Sequence, residues 1–568
     1  MKLMKKIYVS TFLIALSTLL LEITLTRIYS VIFFYNFAFM IISTALFGYG
    51  LSAVWIIIFY DKLKRIDLLK LSSLLLSISI LILTIGLSYI PASFSYFPVL
   101  KRIILLFIHY IILIMPFFFS GMFISTVFMR FTPYISKLYF FDLLGASIGA
   151  ISILILIKSI GAVGLLFLGI IFSLITLIIR LQTKQYKYIL AIIIIILLML
   201  LPSMERFFII KPHMSKTAYQ THLKSKMIIY NKWSSITKID VVKTKPMWII
   251  WIDGGTNISF IPTAANDESL KLSYKNITSI PYKIIKNSTT LIIGSGGGWE
   301  VQVAKNLNAK KIIAVEMDSL IVDIVKNVFK KNINYLFDEP NISLIANEGR
   351  NFLHSSNEKF DIIQQINNQT SVAIASGALN LSETYLLTKE ALLLYWQHLN
   401  DNGILSIWKW GIERLFTSAI FVLDEIGITN PYQHIFIIQQ HNEYQKLFLL
   451  KKTPFSIKEI TLIEDLCKNN GWEILFHPMY PYTNHFFSKL LTKKDIINLT
   501  KSTGLNLLPA TDNKPFFNHM IPIWQRNIHN SITLPKDTIQ KIENVSKTEQ
   551  YTLGIVFIQS LLFSVLFL

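Results

Sequence analysis

The chain has 568 residues, of which 53% are hydrophobic and only 15% charged, with one cysteine and a formal net charge of +20. Soluble proteins carry roughly a quarter charged residues, so an ordinary soluble globule is excluded, as are a disordered chain, collagen, a coiled coil and a disulfide-built scaffold. The basic surplus is uneven. Residues 1–206 hold 17 Lys and Arg against 5 Asp and Glu, a net +12, and the remainder holds 37 against 29, a net +8. Most of the surplus lies in short loops between apolar runs, where membrane topology explains it better than nucleic acid does.

A helix needs about 20 apolar residues to cross the hydrocarbon of a bilayer. Runs that meet this, or nearly so, cover residues 7–26, 36–59, 68–90, 103–129, 138–157, 161–179 and, more briefly, 188–202. They predict a transmembrane domain of about seven helices over residues 1–205. With the amino terminus inside, the inner loops hold 11 Lys and Arg (Lys2, Lys5, Lys6, Lys62, Lys64, Arg65, Arg130, Lys137, Arg180, Lys184, Lys187) and the outer loops four (Arg27, Lys101, Arg102, Lys158). By the positive-inside rule, seven crossings then leave everything from about Ser203 on the extracytoplasmic side. If 188–202 only lies in the interface, the following domain is cytoplasmic, and both alternatives stand. Glu22, Arg27 and Asp142 are ionisable residues in or beside apolar runs. They either pair or reach the interface by snorkelling, or they serve a function in the membrane. Gly145 and Gly149 have the small-xxx-small spacing of close helix packing. The uncharged run 551–568 reads as one more membrane helix, truncated where a longer protein would continue.

Residues 206–288 predict a small antiparallel β region, with strands at 235–242 and 247–252 and a turn at Asp253-Gly-Gly255. Over 289–455 the pattern becomes strand, helix, strand. Strands are expected at 290–293, 311–316, 342–346, 360–366 and 403–408, and helices at 299–306, 319–329 and 389–398. A hairpin, 434–439 with 445–450 around His441-Asn-Glu443, closes the series. The fold class is thus a multi-span α-helical membrane domain followed by an α/β Rossmann-like domain, of the methyltransferase type with seven strands, preceded by the small sheet. Residues 456–550 form a C-terminal extension.

The turn after the first of these strands is Gly294-Ser-Gly-Gly-Gly-Trp-Glu300. Glycines there let the backbone turn tightly and approach a ligand, and the next helix offers free N–H groups. A dinucleotide fingerprint needs glycine where Trp299 stands; the spacing Gly294, Gly296, Gly298 suits an S-adenosyl compound instead. Glu316 ends the second strand, where a carboxylate can accept both ribose hydroxyls. Asn347-Glu-Gly-Arg350 ends the third, within reach of an adenine edge.

Residues 290–410 resemble the spermidine synthase (polyamine aminopropyltransferase) family, and most closely its membrane-embedded bacterial branch. The pieces that carry the resemblance are Leu291-Ile-Ile-Gly-Ser-Gly-Gly-Gly298, Ala314-Val-Glu-Met-Asp318, Asn347-Glu-Gly-Arg-Asn-Phe-Leu353, Phe360-Asp-Ile-Ile-Gln364 and Leu381-Ser-Glu-Thr-Tyr-Leu386. Leu21-Glu-Ile-Thr-Leu-Thr-Arg27, Leu138-Tyr-Phe-Phe-Asp-Leu-Leu-Gly145 and Thr511-Asp-Asn-Lys-Pro-Phe-Phe517 resemble the same branch. The resemblance implies S-adenosylmethionine or decarboxylated S-adenosylmethionine as the cofactor, without metal. It places Gly294, Gly296 and Gly298 on the methionine-derived portion, Glu316 on the ribose and Glu348 on the adenine, with Asp318 and Gly349 beside them. It also implies an Asp-x-x-Asp pattern after the fourth strand, to orient or deprotonate the attacking amine. Here Ile366 and Gln369 stand at those positions, and no acidic residue occurs between Asp361 and Glu383. Gln364, Asn368 and Gln369 are the remaining catalytic candidates, but neutral amides neither attract a polyamine nor act as bases. That argues against ordinary spermidine synthesis.

His434, His441, His477, His485 and His519 have no metal-ligand spacing, and a nucleophile elbow and a Walker loop are both missing. Asp512 and Lys514 either border the site or shape a turn before Pro515, the turn being the favoured reading. The leading expectation is a membrane-anchored, spermidine synthase-like transferase with its acidic pair replaced. The alternatives are a non-catalytic nucleoside-binding sensor and a transporter-like helix bundle with a regulatory domain. Expected partners are the lipid bilayer and a small-molecule substrate, an amine being one candidate, but no nucleic acid; homo-oligomer formation is left open. The expected location is the bacterial inner (cytoplasmic) membrane, as a multi-pass protein.

Overall fold

The computed structural model describes residues 2–32, 38–63, 65–90, 99–212, 216–263, 266–366, 384–409, 411–440, 445–481, 486–518, 520 and 561. Among these, six helices are long and apolar enough to cross a membrane. They are α1 (Lys2–Ile32), α2 (Ala38–Ile58), α3 (Leu68–Tyr89), α4 (Val99–Arg130), α5 (Ile135–Arg180) and α6 (Lys184–Leu200). The runs 138–157 and 161–179 join without a loop in α5, where Gly161 breaks the helix with φ 69° and ψ 175°. The chain reverses there. Consecutive residues of α1, Leu16 and Ser17, touch Gly149 and Gly169 respectively, positions that an unbroken helix would hold about 30 Å apart. Only glycine accepts this backbone without strain.

Small and hydroxylated residues bring the helices together, as expected where lipid and side chain are equally apolar. A Cβ at Gly145 would lie 2.2 Å from Phe12 O, and one at Gly149 2.5 Å from Leu16 O. Thr18 and Ser120 hydrogen-bond across α1 and α4, Tyr49 joins them at 2.9 Å, and Ser17 Oγ donates to Gly169 O at 3.0 Å. At one end of the bundle Arg180 lies 3.8 Å from Asp67, and Arg130 donates to Ile66 O, so the basic loops gather there. At the other end Glu205 accepts from the N–H of Ala162 at 3.1 Å and from Trp233 Nε1. The soluble part is attached at that end. Arg27 and Glu22 do not pair; the Arg27 guanidinium reaches into the soluble part instead, to Ile236 O.

The small sheet has four antiparallel strands in the order β1 (Ile228–Trp233), β2 (Lys238–Val242), β3 (Trp248–Ile252), β4 (Asn257–Ile261). The strand expected over 235–242 begins only at Lys238, because Ser234 Oγ accepts the N–H groups of Ile236 and Thr237 and folds 234–237 into a turn. The main sheet comprises β5 (Thr289–Ile293), β6 (Lys311–Glu316), β7 (Ile342–Ala346), β8 (Phe360–Ile366), β9 (Leu399–Lys409), β10 (Ile435–Gln440), β11 (Lys446–Lys451) and β12 (Trp472–Phe476). Its order is β12-β10-β11-β9-β8-β5-β6-β7. Strands β5 to β9 are parallel, and β11, β10 and β12 continue antiparallel.

Among the described residues the sheet therefore has eight strands where seven were expected. The eighth, β12, comes from the stretch read as a plain extension. It follows a helix, Ile457–Asn470, that starts with a capping box at Ser456 and Glu459 and stops at Gly471 with φ 67°. Trp472–Phe476 then pairs with the edge of β10, which would otherwise expose a row of backbone donors and acceptors. The helix expected over 319–329 is α-helical only over Ser319–Asp323 and widens to a π turn over Ile324–Val328. The run 551–568 lies outside the described residues except for Leu561.

Replacing Gly145 by Leu forces the backbones of α1 and α5 apart. A loss of about 1–3 kcal/mol is expected, read as a lower Tm of the detergent-solubilised protein; an unchanged Tm would show that this contact does not hold the bundle.

Candidate functional site

Strand β5 pairs with β6 on one side and β8 on the other, so the chain's winding direction reverses between β5 and β8. Parallel sheets bind ligands outside the carboxyl ends of their strands at such a switch point. The turn after β5 is built for close approach. Gly294, Gly296 and Gly298 have φ of 72°, 53° and 96°. A Cβ on Gly296 would fall 2.1 Å from Ser259 Oγ, and one on Gly298 2.9 Å from the Phe337 ring. Ser259, on β4, also accepts the N–H of Gly297 at 2.8 Å, so the small sheet touches this turn.

Glu316 closes β6 beside the turn. Its Oε2 accepts the N–H of Gly296 and its Oε1 that of Asp318, both at 2.9 Å. Glu316 is 8% exposed; burial raises the pKa of its carboxyl, and these amides oppose the rise. A carboxylate oxygen can accept more than one hydrogen bond, so Glu316 is oriented without being used up. Asp318 is placed differently. Its Oδ1 caps the next helix at Leu320 N (2.9 Å), and its Oδ2 accepts from Ser234 Oγ (2.7 Å) and Thr237 Oγ1 (2.6 Å). It ties the two sheets together.

At the end of β7, Glu348 Oε2 accepts the N–H of Asn351 at 2.9 Å and caps the helix Gly349–His354. Gly349 lets that helix pack on β5, since a Cβ there would lie 2.4 Å from Ile293 Cγ2. Arg350 forms a two-pronged bond with Asp512, both contacts 2.8 Å, and Thr388 Oγ1 donates to the same carboxylate at 2.7 Å. Arg350 holds the Asp512 carboxyl below its ordinary range. The turn expected at 511–514 is present as a Thr511–Lys514 bridge, and Asp512 clamps it to the end of β7. Arg414 adds bonds to Phe516 O and Phe517 O at 2.6 and 2.9 Å.

Of the three catalytic candidates, Asn368 and Gln369 lie outside the described residues. Gln364 is buried, accepting from Tyr282 OH at 2.8 Å and donating to Thr278 O at 2.9 Å. Thr278 Oγ1 in turn donates to Glu300 Oε2 at 2.8 Å, a buried polar chain that sequence reasoning did not find. Two further groups were missed. Gln365 is 1% exposed and neither amide atom has a partner among the described residues; the Ser295 hydroxyl is likewise buried and without a partner among them. Gln365 is in register with Ile293, so both groups flank the switch point. Two adjacent glutamines inside the apolar strand Phe360-Asp-Ile-Ile-Gln-Gln-Ile366 were the available signal.

Residues 271–407 match the family model described as the spermine/spermidine synthase domain. Similar proteins include the polyamine aminopropyltransferase of Buchnera aphidicola, 28% identical over 194 residues, which are 33% of this chain and 64% of that protein. Polyamine aminopropyltransferase 1 of Pseudomonas aeruginosa is 33% identical over 116 residues, 20% of this chain and 37% of that one. The chain thus spans less than two thirds of these relatives' length. Among solved structures, spermidine synthase from Thermotoga maritima is 16% identical with a TM-score of 0.30, covering 49% of this chain and 87% of its own. A probable spermidine synthase from Corynebacterium glutamicum is 12% identical with a TM-score of 0.33, covering 47% and 95%. The resemblance read from the sequence motifs is borne out over residues 271–407, and the relatives are named polyamine aminopropyltransferases.

Burial lifts Glu300 from its ordinary 4.5 to about 7, against the pull of its Thr278 donor. The folded protein then takes up a proton as pH falls from about 7 toward 4.5, before the unfolded chain does. Stability from this group is complete below the lower value and is lost as pH rises through the window, by at most about 1.4 kcal/mol per pH unit. Glu300→Gln should raise Tm at pH 8 and flatten its pH dependence relative to the unaltered protein, checked by thermal unfolding between pH 5 and 8.

Proposed function

We propose that the protein is a membrane-anchored transferase of the aminopropyltransferase type, which binds S-adenosylmethionine or its decarboxylated form at the switch point between β5 and β8. The observation that carries this reading is the Glu316 carboxylate, oriented by two backbone amides beside a glycine turn, with polar atoms of Ser295 and Gln365 at the same edge that have no partner among the described residues. In this reading Glu316 receives the ribose hydroxyls, Glu348 lies near the adenine, and the turn 294–298 passes along the methionine-derived portion. The bound donor supplies a carbon made electrophilic by the adjacent sulfonium. The protein's own part is positioning the donor and nucleophile in line, which can account for much of a rate enhancement.

The acceptor side departs from polyamine synthesis. The strand end that resembles the family's first acidic position is Ile366, and Gln364 is engaged at both ends of its amide. A neutral strand end favours an acceptor that arrives without a proton to lose or passes it to water. The same observation favours a second reading, a nucleoside sensor without turnover.

For the membrane part we propose that the helices cross the bilayer with the basic loops on the cytoplasmic face, the two halves of α5 crossing separately. Support comes from the gathering of Arg130, Arg180 and Asp67 at one end of the bundle and of Glu205 and Arg27 at the other. In this reading the soluble part is extracytoplasmic, away from the cytosolic supply of the donor.

Calorimetry on the full chain in detergent should find binding of S-adenosylmethionine, its decarboxylated form or methylthioadenosine; absence of all three would overturn both readings. Release of methylthioadenosine from decarboxylated donor with a panel of amines separates turnover from sensing. A compartment-sensitive reporter fused after Glu205 should be active on the extracytoplasmic side, and activity in the cytoplasm would reverse the topology.

A further inference from the structure

Helix α1 ends inside the soluble part. Arg27 is 6% exposed, and its Nη1 donates to Ile236 O at 3.0 Å. Ile236 belongs to the turn between β1 and β2, which is closed on Ser234 Oγ by the N–H groups of Ile236 (3.1 Å) and Thr237 (2.9 Å). The hydroxyls of that turn, on Ser234 and Thr237, are the donors to Asp318 Oδ2. The N–H of Asp318 donates to Glu316 Oε1. An unbroken line of hydrogen bonds thus runs from a guanidinium on the first membrane helix to the carboxylate at the nucleoside edge.

We propose that Arg27 is a positioning residue for Glu316, so that the first membrane helix sets how well the soluble part holds a ribose. This rests on the reading that Glu316 receives the ribose hydroxyls. A buried guanidinium is costly unless its donors are met, and a purely structural anchor for α1 needs no link to a ligand-facing group. Here the carbonyl that Arg27 holds lies in the turn whose hydroxyls hold Asp318. Releasing that turn frees the Asp318 amide, and with it one of the two donors that orient Glu316.

The test uses the full chain in detergent, with methylthioadenosine and its 2′,3′-dideoxy analogue as probes. Arg27→Gln should weaken methylthioadenosine by about tenfold, the loss of a charge-assisted bond, and the dideoxy analogue by less than about twofold. Arg27→Lys keeps a donor and should restore most of the affinity. Thr237→Val should reproduce the loss, and the double variant should lose no more than either alone. Arg180→Gln, at the far end of the bundle, should change neither ligand. Equal loss on both ligands, or no loss on either, overturns the proposal. If the unaltered protein does not prefer methylthioadenosine to the dideoxy analogue, the ribose reading fails instead. Hydrogen exchange without ligand then decides the relay: the Gly296 and Asp318 amides should exchange faster in Arg27→Gln, and unchanged exchange overturns it.

Discussion

A carboxylate taken out of water has to be met by donors, and the way Asp318 meets this condition organises the soluble part. One oxygen takes an amide of the helix after β6, the other takes two hydroxyls from the small sheet, and its own N–H goes to Glu316. The small sheet is bound just as closely to the helix bundle. Lys216 donates to Ser30 O, Val31 O, Asp253 O and Thr256 Oγ1, at 3.3 Å for the first and 2.8 Å for the others. An ammonium there meets the open carbonyls at the end of α1, as cations do at helix carboxyl ends. Burial pushes Lys216 down and the neighbouring Asp253 up, while attraction between the two opposes both shifts.

Sequence periodicity was enough to place the strands from β5 to β11, because buried parallel strands are short apolar runs bounded by glycine and polar turns, but it did not find the helices Gly349–His354 and Ile412–Glu425 between them. It was not enough for β1, whose pattern Ile228–Trp233 mixes Asn and Lys into an edge strand, nor for β12, which takes its place by covering an exposed edge. The reversal at Gly161 was visible as two apolar runs. What could not be read is that no loop separates them, since one residue's φ decides it. Arg27 illustrates a different gap. A charge at the end of an apolar run looks like a snorkelling side chain until the partner, 209 residues away in the chain, is in place.

The edge motifs were legible as types, less so as contacts. The glycines at 294, 296 and 298 do occupy left-handed backbone, and Glu316 does turn toward them. The side chains of Asp318 and Glu348 spend hydrogen-bonding capacity on helix caps and sheet contacts, which is the competing use of any acidic residue at a helix start. The pair Gln364 and Gln365 shows how alternation divides neighbours. In a strand, successive side chains point to opposite faces; one amide is engaged by Tyr282 and Thr278 and the other has no partner among the described residues.

Glu205 joins the tip of α5 to the first strand of the small sheet, through the N–H of Ala162 and the indole of Trp233. With Arg27 and Lys216 this makes three separate rivets between bundle and sheet, two at the end of α1 and one at the tip of α5. Joints of that kind resist tilting as well as sliding. If the bundle spans a bilayer, the carboxyl edge of the main sheet stands at a set height and angle above the headgroups, much as a turret is fixed to a deck. Any ligand of that edge would then be selected partly by where it can reach: a solute meets the edge from any direction, whereas a group carried on a lipid meets it only if its tether is as long as that height.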